Sequence, residues 1–308
     1  MGRKKSGLPI HGWIILDKPE DMTSTAAVGA VKRRLDAAKA GHGGTLDPFA
    51  TGILPIALGE ATKTVSYVMD GVKRYHFTVR WGIATDTEDR DGAVTEESDS
   101  RPDRDAIEAV LGRFIGEIEQ IPPAYSAIKL GGKRAYDLAR SGETPEMPPR
   151  MVTINELRLL EMPDADHATF EAVCGKGTYI RALARDIALI LGTVGHLSAL
   201  RRTQVGPFSE KSAISLDELD ENMHVAAACE YLLPVETALD DIPALAVTET
   251  EAGRLRNGQA VSLLRKADLD RIADLENGDT ALAMANGTAI ALVRYTAGEI
   301  QPVRVLNL

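Results

Sequence analysis

The stretch His42-Gly43-Gly44-Thr45-Leu46-Asp47-Pro48-Phe49-Ala50-Thr51-Gly52 limits the possible folds of this chain more than any other. Three glycines surround one carboxylate, and glycine alone enters the left-handed region freely and lets backbone approach a ligand or another strand closely. Pro48 fixes its own φ and biases Asp47 toward an extended conformation, which aims the carboxylate. Alone, an Asp-Pro step is an ordinary turn initiator. The loop acquires a chemical meaning only from the residues that accompany it.

At 308 residues the chain is long enough to bury a large core, and it reads as two domains, 1–240 and 241–308, with acidic connecting helices over 211–240. No apolar run approaches the roughly 18–20 residues needed to cross a bilayer, so a soluble protein is expected. Arg3, Lys4 and Lys5 form a basic arm that runs into Pro9, His11 and Gly12 rather than a long apolar core, unlike a signal peptide. Cys174 and Cys229 are far apart and unpatterned, which points to a reducing, cytoplasmic setting and away from a zinc ribbon or disulfide scaffold.

A net charge of −10 argues against a nucleic-acid partner only if the charge is spread evenly, and it is not. Residues 1–80 hold 12 basic and 7 acidic side chains and 120–210 hold 11 and 10, whereas 81–119 hold 4 and 12 and 211–308 hold 8 and 16. Screening confines each charge to about 8–10 Å, so a basic face can meet phosphates despite acidic flanks.

In chain order, Gly12–Leu16 reads as a strand, and Thr23 or Ser24 as the cap of a helix with Ala27, Val28, Val31 and Leu35 inward and Lys32, Arg33 and Arg34 outward. After the glycine loop, Ile53–Leu58 reads as a buried strand and Glu60–Met69 as a helix. Tyr75–Trp81 alternates, with Tyr75, Phe77, Val79 and Trp81 sharing a face. Asp103–Phe114 is an amphipathic helix; Gly131-Gly132 is a tight turn leading to a helix with Lys133, Arg134 and Tyr136 that stops at Gly142. Val152–Met162 and Ala168–Cys174 read as adjacent strands, and a helix opens after Gly175-Lys176-Gly177-Thr178 and runs to Leu191. A hairpin is expected around Asn286-Gly287.

Several chemistries are excluded by spacing. The acidic loop Thr85–Gly92 lacks the glycine and glutamate positions of a calcium loop, and Gly175–Thr178 lacks the spacing of a Walker site. No metal-ligand set, nucleophile elbow or dinucleotide fingerprint occurs, so neither metal nor cofactor is expected. What remains is a positioned carboxylate, a basic residue in the first turn of a glycine-preceded helix, and several tyrosines. That set suits covalent catalysis by aspartate on an electrophilic carbon, with stacking on a planar substrate.

The motifs His42-Gly-Gly-Thr-Leu-Asp47-Pro-x-Ala-x-Gly, Lys73-Arg74-Tyr75, Tyr125-Ser126-Ala127-x-Lys129, Gly132-Lys133-x-x-x-Tyr136 and Lys176-Gly177-Thr178-Tyr179-Ile180-Arg181 occur in the order seen in the TruB family, the bacterial tRNA pseudouridine-55 synthases, which the chain thus resembles. Leu16-Asp17-Lys18-Pro19 and Leu200-Arg201-Arg202 extend the resemblance over most of residues 10–210. It implies an α+β protein: a mixed, largely antiparallel curved sheet flanked by helices, followed by a small C-terminal β-rich domain like the PUA type.

The resemblance further implies an isomerisation of uridine 55 in the T-loop of tRNA, by base flipping, without metal or cofactor, on a monomer. By the same resemblance Asp47 is the nucleophile, attacking C1′ of ribose or C6 of uracil or acting through a glycal. Arg181 pairs with it, which favours an ionised, oriented acid. Tyr75 stacks on the flipped base and is a candidate for proton transfer; Tyr179 and the Leu200 backbone contact the uridine; His42 fills the space left by the displaced base. Lys18, Lys129, Lys133, Arg201 and Arg202 are expected to meet phosphates. Two other classes are weighed against this one: an RNA-folding chaperone acting through the basic face, and an aspartate-nucleophile hydrolase of a small molecule.

Overall fold

The computed structural model of the protein describes residues 7–142, 145–221, 229–265, 268 and 270–308. The basic arm at Arg3, Lys4 and Lys5 and part of the acidic 211–240 stretch lie outside the described residues.

The chain begins with β1 (Gly12–Lys18) and α1 (Ser24–Arg34). Thr23 is the N-cap, its hydroxyl accepting from the Ala26 N–H, and Ala27, Ala30 and Val31 turn inward. β2 (Ala40–His42) and β3 (Thr51–Leu58) flank the glycine loop. The single helix expected over 60–69 is instead a 3₁₀ turn, Gly59–Lys63, followed by α2 (Val65–Asp70). The break falls at Thr64, whose N–H and hydroxyl both turn back to the Ala61 carbonyl and close the first turn on itself.

Then come β4 (Lys73–Trp81), the small ribbon β5 (Ile83–Thr85) and β6 (Val94–Glu97), α3 (Arg104–Leu111) and β7 (Gly116–Gln120). Lys133 and Arg134, expected on a helix, form β9 (Lys133–Arg134), which pairs with β8 (Lys129–Leu130) around Gly131-Gly132. Both glycines have positive φ, so the turn keeps these two residues extended, and α4 (Ala135–Arg140) starts only afterwards. β10 (Arg150–Asp164), β11 (His167–Cys174), α5 (Ile180–Ile190), β12 (Gly195–Val205), β13 (Phe208–Ser209), β14 (Ala213–Ile214) and α6 (Leu216–Glu221) complete this part.

Apart from the β5–β6 and β8–β9 ribbons, these strands form one ten-stranded sheet ordered β14-β1-β3-β12-β4-β11-β10-β7, with β2 on β3 and β13 on β12. Only β1–β14 and β3–β12 are parallel, so the sheet is mixed and largely antiparallel as expected. Phe77, Val79 and Trp81 of β4 pack with Ile14, Leu16, Leu54, Ile56 and, from α5, Leu183 and Ile187 in the main core. The alternation of β4 is read correctly from its sequence because the opposite face carries Arg74, His76, Thr78 and Arg80.

A second sheet orders β15-β17-β18-β19-β16, from β15 (Ala244–Ala246), β16 (Val261–Ser262), β17 (Thr280–Ala285), β18 (Thr288–Thr296) and β19 (Glu299–Val305), with α7 (Glu249–Arg256) against it. Asn286 and Gly287 both have φ > 0, as a two-residue primed hairpin turn requires. This sheet is not free-standing. Leu282, Ala289, Leu292 and Leu306 share a core with Trp13, Ile15, Ile53 and Ala57 on the reverse side of β1 and β3. Lys63 Nζ donates to the Val305 carbonyl at 2.7 Å, and the Asn307 N–H donates to Glu60 Oε2 at 2.8 Å.

Candidate active site

The glycine loop is held from below by side chains that never reach solvent. Arg202, 2% exposed, donates from Nε to the Ile53 carbonyl at 2.8 Å and from its two terminal nitrogens to the carbonyls of Gly44 at 3.0 Å and Thr45 at 3.4 Å. Ser24 clasps Leu46 twice: its hydroxyl donates to the Leu46 carbonyl and accepts from the Leu46 N–H. Lys18, fully buried, donates to the carbonyls of Pro19, Met22 and Pro48 at 2.8, 2.8 and 3.0 Å. Burial pulls its pKa down to about 8, which still leaves an ammonium at neutral pH with three donors for three carbonyls.

Lys18 and Arg202, expected to bind phosphate, are therefore internal struts: their N–H groups are spent on backbone carbonyls and, for Arg202, on the Tyr75 hydroxyl as well, and they have no solvent face to offer an anion. Arg201 is on the other side of β12, bidentate to Asp17 at 3.0 and 2.8 Å and paired with Glu210 at 2.6 Å, so its guanidinium is also occupied. Lys129 and Lys133 are exposed on the β8–β9 hairpin, and beside them Arg134 and Arg140 lie over the Tyr136 ring at 5.8 and 5.5 Å.

With Leu46 and Phe49 buried on either side, Asp47 remains at the surface of the loop, its side chain 32% exposed. Arg181, in the first turn of α5 and 5% exposed, meets it side-on: Nε is 3.0 Å from Oδ2 and Nη2 donates to Oδ1 at 3.2 Å. The rest of the guanidinium is fixed by the Thr87 carbonyl at 2.8 Å, the Tyr125 carbonyl at 2.9 Å and Asp89 Oδ2 at 3.4 Å. A guanidinium held at this many points has one orientation, and so has the carboxylate it grips.

Asp89 was hidden in the sequence as one acid among several in an acidic loop. Burial raises its pKa; the Thr87 hydroxyl and the Arg181 charge oppose this, the former donating to Asp89 Oδ1 at 2.5 Å. Its spacing carries no signal, because the contact is made across the fold. Gln120 is a second residue that spacing does not reveal: its amide clasps the Tyr179 N–H and carbonyl at the start of α5.

Tyr75, at the start of β4, lies over the same core, half-buried. Burial pushes its phenol above the usual tyrosine range against the pull of the Arg202 guanidinium, and Asp47 is near enough to push it the same way. A neutral phenol can both donate and accept. His42 ends β2; burial, then the charge of Arg202, lowers its pKa, so its ring is neutral at pH 7, and its buried Nδ1 has no hydrogen-bond partner among the described residues. Tyr179 precedes Arg181 by two residues, and Leu200 is buried beside Phe77 in the β4–β12 ladder. Among the described residues no group of three or more His, Cys, Asp or Glu side chains converges as a metal site would need.

Residues 32–180 match the model described as TruB family pseudouridylate synthase (N terminal domain), and residues 181–240 that of the tRNA pseudouridylate synthase B C-terminal domain. A Rhodospirillum rubrum protein named tRNA pseudouridine synthase B is 55% identical over 308 residues, covering 100% of both chains. The chain belongs to the TruB family. A TruB relative of the same name from Caulobacter vibrioides is 55% identical over 309 residues, again covering 100% of each. Among solved structures, a chain of a Cbf5–Nop10–Gar1 complex superposes with a TM-score of 0.71 at 28% identity, covering 93% of this chain and 78% of that one. A chain of an H/ACA RNP bound to a substrate RNA containing 2′-deoxyuridine gives a TM-score of 0.73 at 23% identity, covering 100% and 92%, and shares the fold. The chain thus has the pseudouridine synthase fold, and like its TruB relatives it is an isomerase.

Proposed function

We propose that this TruB-family chain converts uridine 55 in the T-loop of tRNA to pseudouridine, with Asp47 as the nucleophile. The observation that carries the reading is the Arg181–Asp47 contact at 3.0 Å, made by a guanidinium fixed on its other sides. The reaction breaks the N1–C1′ bond, forms C5–C1′ and moves one proton from C5 to N1, so it consumes no redox equivalent and no energy carrier, and a cofactor has no step to perform.

Asp47 attacks C1′ or C6, or acts through a glycal; each route uses the same oriented carboxylate. Because the target lies stacked within its loop, it has to be flipped out, which costs a few kcal/mol. A neutral His42 suits insertion into the vacated apolar stack better than a cation would. Tyr75 stacks on the flipped base and is the candidate for proton transfer: burial keeps its phenol protonated, so it takes up the C5 proton only as it passes its own on toward N1. Lys129 and Lys133, exposed on their hairpin, are the phosphate ligands this reading retains, and Tyr179 and the Leu200 backbone face the uridine. Residues 1–240 form the catalytic unit and 241–308 a PUA-like unit that grips the tRNA stem, on a monomer in the cytoplasm. Among the described residues no helix is long and apolar enough to cross a membrane.

The test is Asp47→Asn, assayed for pseudouridine at each nucleotide of an unmodified tRNA transcript. Binding and melting temperature should be retained and product abolished, while the unaltered protein modifies position 55 alone. Product from the variant, or modification at another position by the unaltered protein, overturns the reading.

A further inference from the structure

Arg181 is not the only arginine that α5 sends into its surroundings. One turn later, Arg185 Nη1 donates to Glu88 Oε1 at 2.5 Å, Nη2 donates to the Ile121 carbonyl at 2.9 Å, and Nε donates to Asp186 at 2.8 Å. The i, i+4 spacing places the two guanidinium groups along one helix face. They grip the same two segments in parallel: Arg181 holds Thr87, Asp89 and the Tyr125 carbonyl, while Arg185 holds Glu88 and the Ile121 carbonyl.

Glu88 is built for this contact. It has φ 61, a conformation an L-residue with a long side chain adopts only when its surroundings impose it. Its carbonyl accepts from the Leu197 N–H at 3.1 Å, and its side chain is 16% exposed against 25% for Arg185, so both ends of the ion pair are largely covered by protein. On the other side of Asp89, Arg90 reaches Glu20 at 2.7 Å and lies 5.8 Å from the ring of Phe49, two residues after Asp47. Asp89 is thus pinned through both of its chain neighbours, one tied to α5 and the other to the turn before α1.

Resting on the proposed isomerase reading, we infer that Arg185, through Glu88, is a positioning residue for the reaction. It sets the place of Thr87 and Asp89, hence the orientation in which Arg181 presents Asp47 to the uridine, and it ties that geometry to the 121–125 segment leading into the cationic hairpin. Arg185 touches no substrate atom itself. Its removal leaves Arg181 and Asp47 in contact but lets the carboxylate's direction vary, which lowers the rate of the chemical step and leaves RNA affinity alone.

The experiment compares the unaltered protein, Arg185→Gln, Glu88→Gln and Arg185→Lys, by single-turnover pseudouridine formation at saturating enzyme, filter-binding Kd for the tRNA transcript, and melting temperature. Arg185→Gln should slow the chemical step about tenfold, short of the about 10²-fold that misplacing reacting groups by about 1 Å can cause, with Kd unchanged within error. Glu88→Gln, isosteric and small in its effect on folding, should reproduce the loss, and Arg185→Lys, which keeps a cationic donor for Glu88 and the Ile121 carbonyl, should retain most of the rate. Rates equal to the unaltered protein in either Gln variant, a loss confined to Kd, or an Arg185→Lys chain no faster than Arg185→Gln overturns the inference. Absence of product from the unaltered protein overturns instead the functional reading beneath it.

Discussion

Gly52 and Arg202 face each other across the parallel β3–β12 ladder so closely that a Cβ on Gly52 would stand 2.2 Å from the Arg202 carbonyl oxygen. The same arginine reaches forward with its side chain to the carbonyls of Gly44 and Thr45. The loop bearing Asp47 is therefore referenced at both ends to a single residue of β12, by backbone at one end and by guanidinium at the other.

Gly52→Ala should disable the protein without touching any group that meets RNA. Gly52 sits at φ 98, where a side chain costs about 1–3 kcal/mol before the clash with backbone is added. Turnover should fall more than the melting temperature suggests, because the strands must part where the loop is anchored; urea unfolding beside a pseudouridine assay checks both.

Asp89→Asn keeps the shape of the buried group and removes its charge next to Arg181. The expected result is a drop in single-turnover rate of about 10-fold to 10²-fold, the range associated with small misalignment of reacting groups, with tRNA binding retained. Wild-type rate in this variant would mean that Thr87 and Tyr125 orient Arg181 unaided.

Acid should destabilise the fold through its buried imidazoles. Burial holds His42 and His196 below the ordinary histidine range, so as pH falls through about 6.5 the unfolded chain takes up protons that the native one refuses. Their contribution to stability is complete above about 6.5 and is lost as pH drops below it toward the depressed native values. Urea midpoints between pH 7.5 and 5 should fall, and His196→Gln should flatten the slope.

A chain ending at residue 240 uncovers Trp13, Ile15, Ile53 and Ala57. Such a fragment should self-associate at micromolar concentration in light scattering, whereas Lys63→Met in the full chain, which strips the tie to the Val305 carbonyl together with the ion pair to Glu60, should lower stability by about 1–2 kcal/mol.

The sequence was most informative where one element's own pattern decides its structure. The alternation of Tyr75 to Trp81 and the Asn286-Gly287 hairpin are set by neighbours in the chain and are found as read, and of the two caps offered, Thr23 or Ser24, the helix uses Thr23. Charged side chains were the least legible. Lys18 and Arg202 look like phosphate ligands on paper, because nothing local announces that buried carbonyls 30 and 149 residues away will absorb their donors. Asp89 and Gln120 failed in the opposite sense: each looks ordinary until α5 is packed against its segment. The pairing of Asp47 with Arg181 was anticipated through family resemblance, since 134 residues separate them and no periodicity links the two.

The shared core behind β1 and β3 has a bearing on biosynthesis. The segments that complete it, around Leu282, Leu292 and Leu306, leave the ribosome long after β1 and β3, as do the Val305 carbonyl and Asn307 amide that fasten Lys63 and Glu60. Translation exposes the first strands long before their cover exists, so an apolar wall stays open to solvent and chaperones until the second sheet has been made. Emergence of the second sheet, rather than completion of the half that carries Asp47, is the moment at which this enzyme can close.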